Sequence, residues 1–220
     1  MTPPAPRAIV FDWDNTLVDT WQQLHHAINH TLEAMGHPPW SFEQSKRRIR
    51  KSARESFPHL FGARAGQAME TFFSAFEAQH LRHLTELPGT GAALRELSAA
   101  GKLLAVVSNK DGRILRREAA HLGWQSLFHR LVGAADAARD KPAAEPVIMA
   151  LAESGLAPGP DVWLVGDTET DMLCARNAGC LPVLLRQGGA LGALGEAFAG
   201  AEPALQVESC QALVERALNP

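Results

Sequence analysis

The chain has 220 residues, of which 46% are hydrophobic and 20% charged, and its formal net charge is -3. This length suits one globular enzyme domain with a modest insertion, and the small net charge indicates no nucleic-acid partner. No signal-peptide pattern or membrane-spanning apolar run is present, so we expect a cytoplasmic protein with no membrane partner. We also expect a monomer or a small homo-oligomer.

Short apolar runs that stop at polar residues predict buried strands, and helical patterns lie between them. The helical patterns are closed by glycines, as at Gly101, Gly123 and Gly155. Strands that alternate with helices predict an α/β fold, a doubly wound, Rossmann-like, mostly parallel sheet covered on both faces. The predicted strands are 8–11, 103–107, 131–132, 162–165 and 183–185, and the predicted helices are 90–100, 111–122 and 143–154.

One long stretch, residues 21–87, contains helical patterns but no convincing strand. Asp19 is a good N-cap for its first helix, which is expected to end at Met35 because glycine and proline follow. The stretch therefore resembles an inserted helical unit. The predicted organisation is a core domain of residues 1–19 and 88–220 and a helical cap domain of residues 20–87.

Two groups of acidic residues directly follow predicted strands. Asp12 and Asp14 come after the first strand, and Asp167 and Asp171 come after the strand at 162–165. Like charges held close together resist joint ionisation unless a cation lies between them, so a hard divalent ion is the natural partner. If the two strands are neighbours, four carboxylates converge where open α/β sheets bind ligands.

Hydrogen-bond donors are expected at the same edge of the sheet. Ser108 and Asn109 end another predicted strand, and Lys141 precedes a helix whose first position suits Pro142. Hydroxyl, amide and ammonium donors beside a metal site are what a phosphoryl group requires.

Four motifs in order resemble those of the haloacid dehalogenase-like superfamily. They are Asp12-Trp-Asp14-Asn-Thr16, Ser108, Lys141, and Gly166-Asp167 with Asp171. The helical insertion between the first two motifs is similar to the small cap of the phosphoglycolate phosphatase-like branch. The resemblance implies a Mg²⁺-dependent phosphatase of a small phosphorylated metabolite, with phosphoglycolate as the family-level substrate.

The same resemblance implies a function for each matched residue. Asp12 is the nucleophile that forms an aspartyl phosphate, and Asp14 is the general acid and base. Mg²⁺ is held by the Asp12 carboxylate, the Asp14 backbone carbonyl and Asp167, while Asp171 orders Lys141. The phosphoryl oxygens are held by Thr16, Ser108, Asn109 and Lys141.

Two residues of the first motif need separate comment. Asn15 stands where many relatives have glycine, and we expect the turn to survive because asparagine tolerates left-handed backbone. Trp13 lies between the two acids and is predicted either to face the cap or substrate or to pack in the core.

A basic cluster lies inside the predicted cap. Its residues are Lys46, Arg47, Arg48, Arg50, Lys51 and Arg54. A solvated helix face, a substrate-facing role for Arg50 or Arg54, and nucleic-acid binding remain as alternatives. The three cysteines have no metal-type or redox-type spacing and are expected to be reduced packing residues.

Three other functions compete with a phosphatase. A hydrolase of carbon-halogen bonds from the same superfamily does not need the second acid of the first motif, so Asp14 argues against it. A phosphosugar mutase uses the same aspartyl phosphate. A catalytically silent, phosphate-responsive scaffold protein should have lost Asp12 or Lys141, and both are present.

Overall fold

The structure is a computed structural model, whose contacts divide the chain into two compact units. Unit 1 comprises residues 1–18 and 86–220, and unit 2 comprises residues 19–85. Within the parts of the chain that the structure describes, every helix is too short or too polar to cross a lipid bilayer. The described residues are 3–49, 53–82, 84–187, 198 and 200–219.

The strands and helices of the described residues alternate along most of the chain. The strands are β1 (Ala8–Phe11), β2 (Val18–Asp19), β3 (Thr85–Glu86), β4 (Leu103–Asp111), β5 (Arg130–Ala134), β6 (Val162–Gly166), β7 (Leu181–Leu185) and β8 (Leu205–Val207). The helices are α1 (Trp21–Ala34), α2 (Phe42–Arg48), α3 (Ala53–Phe61), α4 (Ala65–Gln79), α5 (Thr90–Ala99), α6 (Gly112–His121), α7 (Glu145–Leu151), α8 (Glu169–Ala178) and α9 (Cys210–Leu218).

Unit 1 is built on a six-stranded sheet in the order β5-β4-β1-β6-β7-β8, in which neighbouring strands pair in parallel. The central strand β1 lies between β4 and β6, with Phe11 opposite Val106 on one side and Val165 on the other. After β5 the chain returns to the far side of β1, so the strand order reverses between β1 and β6. Asp12 and Asp167 directly follow these two strands. The predicted doubly wound parallel sheet is confirmed.

Strands β1, β6 and β7 are continuous apolar runs because both faces of the sheet are covered. All four residues of β1 are buried. Its Ala8 and Val10 side chains belong to a core cluster with Val147 of α7 and Cys174 of α8. Burying one valine side chain in this core contributes about 1.5–3 kcal/mol.

All three cysteines are free and buried, and burial raises the pKa of the Cys174 thiol to about 12, as expected of packing residues.

Among the predicted elements of unit 1, helix α7 and strand β4 differ most from their predicted bounds. Helix α7 begins at Glu145 and not near Ala143, because an earlier start would place Pro146 beyond the first turn, where its missing N–H and ring are not tolerated. The prediction that Pro142 takes the first helical position is therefore wrong, because Pro142 lies before the helix and Pro146 lies in its first turn, where proline is tolerated. Strand β4 continues past the predicted end through a bulge, since Asp111 pairs with Ala134 of β5.

The described residues of unit 2 include helices α1 to α4, and the sequence predicted helical patterns without specifying this number. Helix α1 has Thr20 at its N-cap position, one residue after the expected Asp19, although an Asp19 carboxylate oxygen still accepts a 3.0 Å hydrogen bond from the Trp21 N–H. Edge-to-face phenylalanine contacts join α3 to α4, with the rings of Phe57 and Phe72 5.4 Å apart. The exposed two-residue strand β3, which pairs with β2, was not predicted because two residues carry no alternating pattern.

Candidate active site

The site begins in the loop after β1. The Asp12 N–H donates a 2.8 Å hydrogen bond to Val165 O of the adjacent strand β6, which fixes the start of the loop. The Trp13 carbonyl then accepts hydrogen bonds from the N–H groups of Leu17 and Val18, so the chain closes into a tight turn. Asn15 lies in this turn with φ 60°, the left-handed conformation that the sequence led us to expect it to tolerate.

Lys141 connects the two acidic groups. Its Nζ donates hydrogen bonds to Asp12 Oδ1 at 2.5 Å and to Asp171 Oδ1 at 2.7 Å, and all three side chains are buried. The other Asp171 oxygen accepts hydrogen bonds from the N–H and the hydroxyl of Thr168, the N-cap of α8. Asp171 is thus held through both oxygens, a geometry that orients Lys141.

The backbone of Lys141 is fixed from the end of β4. Asn109 Nδ2 donates to the Lys141 carbonyl at 3.0 Å, and the Lys141 N–H donates to Asn109 Oδ1 at 3.0 Å. The structure therefore places Asn109 beside Lys141, with its amide already engaged by that backbone. Its predicted contact with a phosphoryl oxygen stays a prediction.

Three carboxylates form a cluster at the point where the strand order reverses. Each of Asp12, Asp167 and Asp171 offers an oxygen within 4.8 Å of the others, and the Thr16 hydroxyl donates to Asp167 Oδ1 at 3.2 Å. Burial raises the pKa of the Asp12 and Asp167 carboxyls above their usual range, and neighbouring carboxylates add to this rise although Lys141 opposes it. Facing carboxylate oxygens, here from two buried side chains and the half-buried Asp167, are ligands that a hard divalent cation prefers, so the donor set fits a divalent metal ion.

Lys141 remains an ammonium group in this environment. Burial alone would lower the pKa of its amine, but the adjacent carboxylates of Asp12 and Asp171 raise it above its ordinary value. A fixed positive charge therefore lies beside the Asp12 carboxylate and can offset negative charge at this point.

The side chain of Asp14 does not join the carboxylate cluster. Its Oδ1 lies 2.6 Å from Lys110 Nζ, which lies 2.6 Å from Glu118 Oε2 as well. Trp13 is fully buried against Trp124, and its Nε1 donates to the same Glu118 oxygen at 2.6 Å. Of the two alternatives for Trp13, the structure supports packing in the core.

Sequence reasoning missed Lys110 and Glu118, although one signal was available. In α6 the buried residues include Ile114, Leu115 and Ala119, and Glu118 falls on the same face. An acidic residue within an apolar helix face predicts a buried partner of opposite charge.

Comparison with known proteins decides the family. The sequence model of a family described as haloacid dehalogenase-like hydrolase matches residues 9–184. The chain belongs to the haloacid dehalogenase-like hydrolase family. A phosphoglycolate phosphatase of Xanthomonas campestris pv. campestris is 31% identical over 191 residues, which cover 85% of this chain and 86% of that protein. A second phosphoglycolate phosphatase, from Chromobacterium violaceum, is 28% identical over 83% of this chain and 86% of its own.

A solved structure gives the same result for the fold. The haloacid dehalogenase-like hydrolase family protein from Streptococcus pneumoniae superposes with a TM-score of 0.82 at 24% identity, covering 96% of this chain and 97% of that one. The family, the α/β fold and the assignment to the phosphatases of the haloacid dehalogenase-like hydrolases are confirmed.

The remaining predicted site residues of this haloacid dehalogenase-like hydrolase divide between the two units. Ser108 is buried within β4, where its hydroxyl oxygen accepts a 3.2 Å hydrogen bond from the Lys110 N–H. Arg50 lies outside the described residues, as does the side chain of Arg54. Of the basic cluster in unit 2, Arg48 lies over the Trp40 ring at 4.9 Å and Lys46 lies over the Phe42 ring at 4.8 Å.

Proposed function

We propose that this chain is a Mg²⁺-dependent phosphatase that hydrolyses a small phosphorylated metabolite through an aspartyl-phosphate intermediate, with phosphoglycolate as the first candidate substrate. The observation that carries the proposal is the buried Lys141 ammonium between Asp12 and Asp171, beside the Asp167 carboxylate. A nucleophile, a fixed cation and a hard-metal donor set at one point are the parts that phosphoryl transfer requires.

In the proposed reaction, the Asp12 carboxylate attacks phosphorus and the ester oxygen leaves with a proton from Asp14. Water then attacks the phosphorus of the aspartyl phosphate and gives a proton to Asp14, so that inorganic phosphate leaves and Asp12 is regenerated. This covalent route divides one difficult displacement into two easier ones. Proton transfer by Asp14 contributes roughly 10²- to 10⁴-fold.

The binding of the phosphoryl group is proposed to use four donor side chains from three segments, which are the loop after β1, strand β4 and the segment before α7. The donors are the hydroxyls of Thr16 and Ser108, the amide of Asn109 and the ammonium of Lys141. Mg²⁺ would be held by Asp12, Asp167 and the Asp14 carbonyl, and when bound it would neutralise charge on the phosphoryl oxygens.

Substrate choice is proposed to reside in a cap domain formed by residues 20–87. The substrate class follows from the relatives that are named phosphoglycolate phosphatases. Phosphoglycolate carries a carboxylate, and a guanidinium binds two carboxylate oxygens in one plane. Arg50 and Arg54 are the candidates for this contact. A cytoplasmic location and a monomeric or small homo-oligomeric state also remain predictions.

A phosphatase screen of the purified chain tests the proposal. Inorganic phosphate release would be measured over a panel of small esters, phosphoglycolate and sugar phosphates included, with Mg²⁺ and with a chelator. We expect Mg²⁺-dependent release from at least one ester. No release from any ester would overturn the proposal, and conversion of a sugar 1-phosphate into its isomer without net phosphate release would identify a mutase instead.

A further inference from the structure

A buried ion-pair cluster lies behind Asp14, and the proposed reaction does not use it. The side chains of Lys110 and Glu118 are 5% and 0% exposed, and they form an ion pair. Lys110 Nζ lies 2.6 Å from one oxygen of each acid, Asp14 and Glu118. Burying such charges has a large desolvation cost, and apolar residues of similar size would often stabilise a protein as well or better. The cluster therefore calls for a function other than stability.

The contact with Lys110 distinguishes the two oxygens of Asp14. Oδ1, the oxygen beside Lys110, is buried, whereas the Asp14 side chain as a whole keeps 28% of its surface exposed. The exposed surface therefore belongs to side-chain atoms other than Oδ1. Because Oδ1 is engaged by Lys110, Oδ2 is the oxygen left to exchange a proton with a substrate or water.

The residues of the cluster are held in place by hydrogen bonds and by aromatic packing. The Lys110 N–H donates to Ser108 Oγ at 3.2 Å, and Glu118 Oε2 accepts from Trp13 Nε1. Trp13 is itself locked by edge-to-face contacts with Trp124 at 5.9 Å and Phe128 at 6.5 Å. The position of Lys110 Nζ is thus determined by β4, by α6 and by the aromatic core.

We infer that Lys110, anchored by Glu118, is a positioning residue that fixes the Asp14 carboxylate with Oδ2 directed to the leaving group of the ester. The inference rests on the proposed function, because it requires Asp14 to act as the acid and base. Without Lys110, rotation about two side-chain bonds would carry Oδ2 away from the reacting oxygen. A misplacement of about 1 Å can reduce a rate about 10²-fold.

The test compares substrates whose leaving groups differ in their need for a proton. The substitution is Lys110→Met, and kcat/KM is measured for p-nitrophenyl phosphate and for the best alkyl phosphate of the screen, with phosphoglycolate first. An alkoxide needs protonation as it leaves, whereas p-nitrophenolate hardly does. We expect kcat/KM for the alkyl phosphate to fall about 10- to 100-fold and that for the aryl phosphate to change less than about threefold.

Two further variants separate positioning from damage to the fold. Lys102→Met removes a lysine beside the start of the same strand, away from the site, and should leave both substrates unaffected. Lys110→Met alone leaves a buried Glu118 carboxylate without its cation, which can unfold a protein. The double variant Lys110→Met, Glu118→Gln removes both charges, and we expect it to fold and to show the same selective loss. General damage would depress both substrates together and would contradict the inference.

A double-mutant cycle with Asp14 completes the test. If Lys110 acts through Asp14, then adding Lys110→Met to Asp14→Asn should slow the alkyl phosphate no further than Asp14→Asn alone. Full additivity would overturn the inference, as would an unchanged substrate ratio in both Lys110 variants. Failure of the proposed function gives a different result, because the unaltered chain would then release phosphate from no ester. If the unaltered chain is active but Asp14→Asn shows no selective loss with the alkyl phosphate, then Asp14 is not the acid. That result would overturn the inference as well.

Discussion

At the scale of single residues, the two carboxylates that contact Lys141 are held differently. Asp171 accepts hydrogen bonds through both oxygens, from Lys141 and from Thr168. Asp12 accepts a hydrogen bond from Lys141 through Oδ1, and it is the first residue after β1, beside Asp167. This difference suits Asp171 to orient the lysine and Asp12 to react.

Asp12→Asn should abolish turnover, because an amide cannot attack phosphorus to form the covalent intermediate. The change is nearly isosteric and leaves Lys141 its contact with Asp171, so we expect the fold to persist. Steady-state phosphate release and the melting temperature are measured side by side. Asp161→Asn, in an ion pair with Arg7 on the surface, is the matched control and should keep full activity. Turnover by the pure Asp12→Asn protein would refute the covalent mechanism.

Asp167→Ala should weaken the response to Mg²⁺. Removing one proposed ligand oxygen leaves Asp12 and the Asp14 carbonyl, and losses of even indirect partners of a metal typically reduce affinity about 10- to 100-fold. We therefore expect the Mg²⁺ concentration at half-maximal rate to rise at least about tenfold. Asp136→Ala, whose carboxylate pairs with Arg116 on the surface, serves as the control. An unchanged Mg²⁺ titration would exclude Asp167 from the metal site.

At the scale of elements, the sequence predicts strands best where an apolar run is followed directly by polar residues. Strands β1 and β6 were predicted from such runs, and their ends position Asp12 and Asp167. The polar end of β4 was missed because its pairing with β5 resumes only after a bulge, which no local pattern reveals. The link between Asn109 and Lys141 joins residues 32 positions apart and has no sequence signal either. Long-range pairing, and not local propensity, decides such contacts.

Helix α8 offers a prediction that separates stability from catalysis. Thr168 caps this helix and also donates its hydroxyl to Asp171, so Thr168→Ala should cost about 1 kcal/mol of stability. Because Asp171 then loses a partner that orients it toward Lys141, kcat should fall as well.

The matched control for Thr168→Ala is Ser209→Ala at the start of α9. The Ser209 hydroxyl accepts a 3.1 Å hydrogen bond from the Ala212 N–H, an equivalent cap outside the site. Denaturant unfolding should show a similar loss of about 1 kcal/mol in both variants, while only Thr168→Ala lowers kcat. Equal kcat values in the two variants would show that the α8 cap contributes to stability alone.

At the scale of the whole molecule, the chain separates into two compact units of different composition. Unit 1 contains every described residue to which we assign a part in phosphoryl transfer. Unit 2 is helical and contains the basic cluster, of which Arg48 and Lys46 pack over aromatic rings. We therefore expect changes in unit 2 to alter which ester is chosen while leaving the chemistry intact.

Substrate choice is tested by Arg50→Ala and Arg54→Ala, each assayed with phosphoglycolate and with an uncharged aryl phosphate. If one of these guanidinium groups binds the substrate carboxylate, its removal should cost about 1.5–3 kcal/mol, or roughly ten- to a hundredfold in kcat/KM for phosphoglycolate. Hydrolysis of the aryl phosphate should barely change, because that ester has no carboxylate to bind. Arg48→Ala, which removes an arginine that packs over Trp40, is the matched control and should leave the preference unaltered. If neither Arg50→Ala nor Arg54→Ala changes the preference between acidic and neutral esters, the basic cluster is a solvated face, and the substrate carboxylate is recognised elsewhere.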